Sequence, residues 1–286
     1  MRLSRVLVTA AVASAALAAT VVTTVTGPGG AAPVLQGSAP ALKLLAATSP
    51  PVRYVALGDS YSSGNGAGAY SAAAPSCERS ARAYPQLWAD QHAPASFVSV
   101  ACSGATTASV RSSQLSALSD RTTLVSITVG GNDAGFSHVM QTCVLKGDRA
   151  CQAAVASAES FVARSLPGRL DGTLQAIRAR APQARIVVLG YPDLYDLSRS
   201  SVCLGISTTK RTALNQGADL LDRTIAAAAT RDGDVFADVR PAFAGHEICD
   251  PASWLNALTY PVGSSYHPTA AGQRYGYLPA FTAAHP

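Results

Sequence analysis

Four short polar stretches hold the residues able to do covalent chemistry. "GDSYSSG" places Ser60 beside Asp59, "CSGATT" holds Gly104, "GGNDAGF" holds Asn132 and Asp133, and "SSYHPTAAGQ" holds His267. A serine hydroxyl is a weak nucleophile until a base takes its proton, and histidine is the usual base. Attack on a carbonyl then builds a tetrahedral oxyanion that needs donors already in place. Ser60 has its own backbone N–H. Gly104 offers a second N–H with no side chain in the way, and Asn132 adds a side-chain amide. With Ser60 as nucleophile, His267 as base, and Ser60, Gly104 and Asn132 as oxyanion donors, the chemistry would be acyl transfer. Singly, each residue has a plainer reading: Ser60 as a helix cap, His267 as a packed histidine, Gly104 as a turn residue, Asn132 as a loop brace. Their joint presence favours the chemical one.

These residues can meet only if the elements before them share an edge. "RYVAL" (53–57), "FVSVA" (97–101), "LVSITV" (124–129), "RIVVL" (185–189) and "DVFADV" (234–239) read as strands. Their apolar residues run on rather than alternate, as in strands covered on both faces. Helices are expected over Tyr84–Gln91, over Ala150–Ala181 with a break near Pro167-Gly168, over Thr208–Arg231, and from about Pro268 and Thr269 onward. Strands alternating with helices predict an α/β domain with a mainly parallel sheet and right-handed crossovers. In such sheets ligands gather outside the carboxyl ends of the strands. Ser60, Gly104 and Asn132 each follow a strand closely, so one rim collects them.

The ends and the composition narrow the class. Residues 1–26 open with Arg2 and Arg5 and continue uncharged through an Ala/Val-rich run, the layout of a secretory signal peptide. An uncleaved anchor is the competing reading, since about 20 uncharged residues could span a bilayer. Residues 27–50 are rich in Pro, Gly and Ala and read as a linker or propeptide. The domain is expected over 51–286. Residues 1–50 carry Arg2, Arg5 and Lys43 and no acidic residue, so their removal takes the net charge from +5 to +2. With no basic stripe besides, nucleic acid is not an expected partner. No segment beyond the N-terminus is long and apolar enough to predict a stable membrane span.

Six cysteines, in a chain that reads as exported, suggest three disulfides. Fifteen pairings are possible. Pairing sequence neighbours closes the shortest loops and is the expected one, and each bridge would stabilise by about 2–4 kcal/mol. No Cys-x-x-Cys occurs, and no metal or cofactor is expected. Other catalytic patterns fail. The G-x-S-x-G elbow is absent. "GNGAGA" has Ala69 where a dinucleotide fingerprint needs its third glycine, and "HEICD" lacks the second histidine of a zinc peptidase.

Taken in order, Gly58-Asp59-Ser60-Tyr61-Ser62-Ser63-Gly64, Gly104, Gly130-Gly131-Asn132-Asp133 and His267-Pro268-Thr269 resemble the successive sequence blocks of the GDSL, or SGNH, hydrolases. The resemblance extends over about 210 residues. It implies a flavodoxin-like three-layer α/β/α sandwich, Ser60 as nucleophile, His267 as base and the oxyanion hole named above. Export and six cysteines resemble the secreted bacterial lipases and esterases of that family, which implies the pairs Cys77–Cys102, Cys143–Cys151 and Cys203–Cys249. The function implied is hydrolysis of carboxylic acyl esters through an acyl-enzyme. The substrate would be a small-molecule or lipid ester, the latter met at a lipid–water interface, and the enzyme a secreted monomer. A phospholipase A or lipid acyltransferase is the alternative; a non-enzymatic binding domain would not need Ser60 and His267.

One departure stands out. The family usually has an aspartate three residues before the histidine, and this chain has Ser264. An imidazole still needs its far nitrogen held. Some secreted members that this sequence resembles use a main-chain carbonyl instead, which implies a Ser–His dyad with the carbonyl of Ser264, or else Ser265, as holder; Asp250 is the alternative. Asp59 and Asp133 are expected to brace the turns that present Ser60 and Asn132.

Overall fold

The computed structural model describes residues 51–199, 203 and 205–285; the expected signal (1–26) and linker (27–50) lie outside the described residues. Five strands form one sheet: β1 (Arg53–Gly58), β2 (Ser96–Ser99), β3 (Leu124–Thr128), β4 (Arg185–Leu189) and β5 (Val235–Ala237). They are all parallel and run in the order β2-β1-β3-β4-β5. This is the flavodoxin-type order, with its topological switch between β1 and β3. Register brings Gly58, the last residue of β1, opposite Thr128, the last of β3. The carboxyl ends of the two central strands therefore stop together, and the loops that follow them share one crevice.

Burial explains the unbroken apolar runs. Every residue of β3 is buried, as are five of the six in β1 and four of the five in β4. Helices cover both faces. One layer is α2 (Tyr84–His92) with the C-terminal α9 (Leu278–Ala284); the other is α4 (Phe136–Leu145), α5 (Asp148–Arg164), α6 (Leu166–Arg180) and α7 (Thr208–Arg231). Under the first layer Tyr54 of β1 meets Trp88 edge-on, with ring centroids 5.3 Å apart, and stacks on Phe281 at 5.4 Å. The molecule is the α/β sandwich that the strand–helix alternation predicts. Disulfides join Cys77 to Cys102, Cys143 to Cys151 and Cys203 to Cys249.

Some boundaries differ from expectation. The second strand ends at Ser99, although the Val100 and Cys102 N–H groups still donate to the Ala56 and Gly58 carbonyls of β1 on the way to the disulfide at Cys102. The long helical stretch breaks at Ser165, two residues before Pro167 and so near Pro167-Gly168 as expected. Pro167 lies in the first turn of α6, where a missing N–H costs nothing. Past Thr269 the chain is helical but winds through a wider π turn at Gly272–Tyr277 before α9. Helix α4 was not expected at all: the glycines of "GGNDAGF" obscure a helix that begins at Phe136.

Candidate active site

Ser60 stands where β1 ends. Gly58 adopts φ +120°, and a Cβ there would come within 2.5 Å of the Thr128 carbonyl, so only glycine lets β1 turn this closely past β3. Helix α1 (Ser60–Ser63) begins at once, capped by the Asp59 carboxylate, which accepts from the Tyr61 N–H at 3.0 Å. The same carboxylate accepts from the Thr128 hydroxyl at 2.7 Å and the Tyr191 hydroxyl at 2.5 Å. Burial raises the Asp59 pKa to about 6, against the pull of these three bonds. Asp59 thus fixes the turn, as its place beside the serine suggested.

His267 arrives from the other end of the chain. Its Nε2 lies 2.7 Å from Ser60 Oγ, and its Nδ1 lies 2.9 Å from the main-chain oxygen of Ser265. The acceptor is therefore Ser265, a correction to the expectation of Ser264. Ser264 closes a short 3₁₀ turn, Val262–Ser264. Tyr266 follows in the left-handed region, at φ +64°, which swings the Ser265 carbonyl back toward the ring two residues on. Asp250 does not reach the histidine; it lies 3.7 Å from the Arg199 guanidinium. Burial lowers the His267 pKa to about 4, opposed by the bond to Ser265, so the imidazole is neutral at pH 7. A neutral imidazole with its far N–H held and its near nitrogen on a hydroxyl can draw off the serine proton.

The other polar candidates converge on the same rim. Asn132 Nδ2 donates to the Ala105 carbonyl at 3.0 Å, which seats the amide beside the Gly104 loop and leaves its second N–H for another acceptor. Gly104 is exposed, at φ +80°, and no atom lies within 4 Å of where its Cβ would be. Asp133 accepts from the Thr107 N–H and hydroxyl at 2.8 and 2.6 Å, tying the Asn132 loop to the start of α3 (Thr107–Ser109). His138 is exposed on α4. Among the described residues, no group of three or more His, Cys, Asp or Glu side chains is placed to hold a metal ion.

Two features escaped the sequence reading. An open, narrow cleft of about 90 Å³ runs from Ser60 and Asn132 between α4, α5 and α7, walled by Phe136, Val139, Val155, Val162, Leu214 and Leu221. These residues look like ordinary helix-core positions in sequence; only the splay of three helices opens a slot among them. Tyr191 also lines it. Its hydroxyl bonds Asp59 and lies 3.4 Å from the Gly131 N–H, and its ring packs edge-on against Tyr61 at 4.9 Å. The available signal was its position, first but one after β4.

A buried serine–imidazole contact at the switch point of a parallel sheet, opening into an apolar slot, defines a serine hydrolase of the flavodoxin-type α/β class. Residues 56–275 match the GDSL-like Lipase/Acylhydrolase family, and the chain belongs to that family. It is accordingly a carboxylic ester hydrolase of the lipase and esterase type. It is 51% identical over 232 residues to Lipase 1 of Streptomyces coelicolor, spanning 81% of this chain and 86% of that protein. Two solved structures superpose with a TM-score of 0.80 over 82% of this chain and 99% of their own. They are phospholipase A1 from Streptomyces albidoflavus, at 50% identity, and an extracellular lipase from Streptomyces rimosus, at 49%.

Proposed function

We propose that the chain is an extracellular lipase that cleaves acyl esters of lipids through an acyl-enzyme on Ser60, acting as a monomer. His267 takes the serine proton and returns it to the leaving alcohol. The Ser265 carbonyl holds the imidazole in the productive tautomer. The Ser60 and Gly104 N–H groups and the Asn132 amide receive the oxyanion, and the acyl chain lies in the cleft between α4, α5 and α7. The observation that carries this reading is the 2.7 Å contact between Ser60 Oγ and His267 Nε2. Export is supported by the disulfides and by the extracellular relative.

Ser60→Ala should fold as the wild type does and lose turnover by about 10⁴–10⁶-fold. Retention of half the rate on a p-nitrophenyl acyl ester would rule Ser60 out as nucleophile. A second reading, hydrolysis of the sn-1 ester of phospholipids, is favoured by the relative named phospholipase A1. Product analysis on phosphatidylcholine against triacylglycerol separates the two.

A further inference from the structure

Leu258, Tyr260 and Val262 are 58%, 95% and 69% exposed, three large apolar side chains within five residues. A single exposed leucine is ordinary; a cluster on one loop is a surface that something covers. The loop lies in a stretch, residues 251–273, without one Asp, Glu, Lys or Arg. It is also wired to the dyad. The Thr259 N–H donates to Ser265 Oγ at 2.9 Å, and the Ser265 carbonyl holds His267. Asn65 Nδ2 donates to the Gly263 carbonyl at 3.0 Å and to Ser103 Oγ, next to Gly104, at 3.3 Å. The apolar tip therefore stands at the rim of the site.

We propose that the loop Leu258–Val262 is a docking element that seats the enzyme on a neutral lipid surface. The proposal rests on the lipid-ester reading above and names the surface that meets the substrate. An uncharged segment bearing exposed Leu and Val has nothing to offer an anionic or cationic partner and fits a zwitterionic or uncharged interface. Tyr260 has the apolar body and polar tip that settle at headgroup depth. A second copy of the chain is a poor occupant, because a stable protein interface buries about 800 Å² per partner from 20–30 residues. Docking at the rim would bring an ester carbonyl to Ser60 without taking the acyl chain through water.

The test uses the full chain with vesicles of diether phosphatidylcholine, which the enzyme cannot hydrolyse. Leu258→Ser combined with Val262→Ser should weaken vesicle partition by about 10–100-fold. Hydrolysis of p-nitrophenyl butyrate in solution should stay within about twofold, as for other surface changes. Turnover of dispersed triacylglycerol should fall with the partition. Separately, Tyr260→Trp should show a blue-shifted emission when vesicles are added. Unchanged partition in the double variant, or no shift in Tyr260→Trp, overturns the proposal. So does equal loss on soluble and dispersed ester, which would make the loop a structural part of the dyad, or a dimer of the wild type that the double variant abolishes. Vesicle binding by a wild type that cleaves only soluble esters would instead count against the lipid reading alone.

Discussion

The turn that presents Ser60 and the loop that presents His267 meet at the serine–imidazole hydrogen bond but are built in different ways. The serine turn is held by side chains from distant parts of the chain: Thr128 at the end of β3 and Tyr191 after β4 both close on Asp59. The imidazole is held by backbone from next door, a neutral carbonyl two residues upstream, while the carbonyls of its loop accept from the distant Tyr61 hydroxyl and Asn65 amide. One region depends on a buried charge whose partners the sheet aligns; the other avoids charge over 23 residues. The difference teaches where each can be damaged. One side-chain change should remove the acceptor that fixes the serine turn, whereas no side-chain change removes the imidazole's own partner.

Asp59→Ala should give the largest effect. It strands the Tyr61 N–H and the Tyr191 hydroxyl, while the Thr128 hydroxyl can turn to Ser62 Oγ, 2.8 Å away. At about 1–3 kcal/mol for each of the two orphaned donors, stability should fall by roughly 2–6 kcal/mol. Urea unfolding measures this. An unchanged midpoint would mean that the turn holds itself, and the contrast between the two regions would collapse. Next comes Asn132→Ala, again a side-chain role on the sheet's side of the site. It should lower kcat by about 10²–10³ with the fold intact; an unchanged kcat would remove the amide from the oxyanion role.

Tyr191→Phe isolates one bond to the buried carboxylate. That bond lowers the Asp59 pKa, so its loss should lift the pKa further above about 6, read by carbon NMR titration of the carboxyl. The ring still fills its place against Tyr61, so a merely structural role predicts no such shift.

The two regions should also answer acid with opposite signs. Asp59 keeps its proton in the folded chain up to about pH 6, whereas in the unfolded chain it loses it near 3.8. Its contribution therefore favours folding increasingly as pH falls through that window. His267 refuses a proton in the folded chain down to about pH 4 but accepts one near 6.5 when unfolded. Its contribution favours unfolding as pH falls from 6.5 toward 4. His267→Asn should thus gain stability relative to the wild type on acidification from pH 7 to pH 4.5, and a constant difference would refute the buried neutral imidazole. The acid limb of kcat/KM in the wild type should lie nearer pH 4 than pH 6.5.

The same contrast decides what could be read beforehand. Ser60, Asn132 and His267 were legible only together, as blocks in a fixed order, and because the apolar strands before Ser60 and Asn132 fix an edge. The covering of the sheet on both faces was legible in the unbroken apolar runs of β1, β3 and β4. Tyr191 and the cleft were not legible. A tyrosine after a strand has no distinctive pattern, and Val155 or Leu214 on a helix face reads as core whether or not a gap lies beyond it. The holder of His267 was legible only in kind. Without a carboxylate at 264 a carbonyl was the expected holder, with Asp250 the alternative, but the choice between Ser264 and Ser265 depends on the left-handed turn at Tyr266, which no residue preference announces.

That choice also yields the smallest predicted effect. Ser264→Ala and Ser265→Ala both keep every main-chain oxygen, so both should keep the imidazole's partner. Ser265 loses more, because its hydroxyl accepts from the Thr259 N–H and bonds back to the Thr259 carbonyl. Each bond is worth about 0.5–1.5 kcal/mol of loop stability. Ser264→Ala should change kcat by less than about twofold, the ordinary range for a substitution that touches no special feature. Ser265→Ala should leave kcat nearly as high while loosening the loop, visible as faster amide exchange at Thr259. A tenfold loss of kcat in Ser264→Ala, with exchange unchanged, would show a side-chain hydroxyl taking part in proton transfer, and the histidine loop could no longer be described as a backbone device.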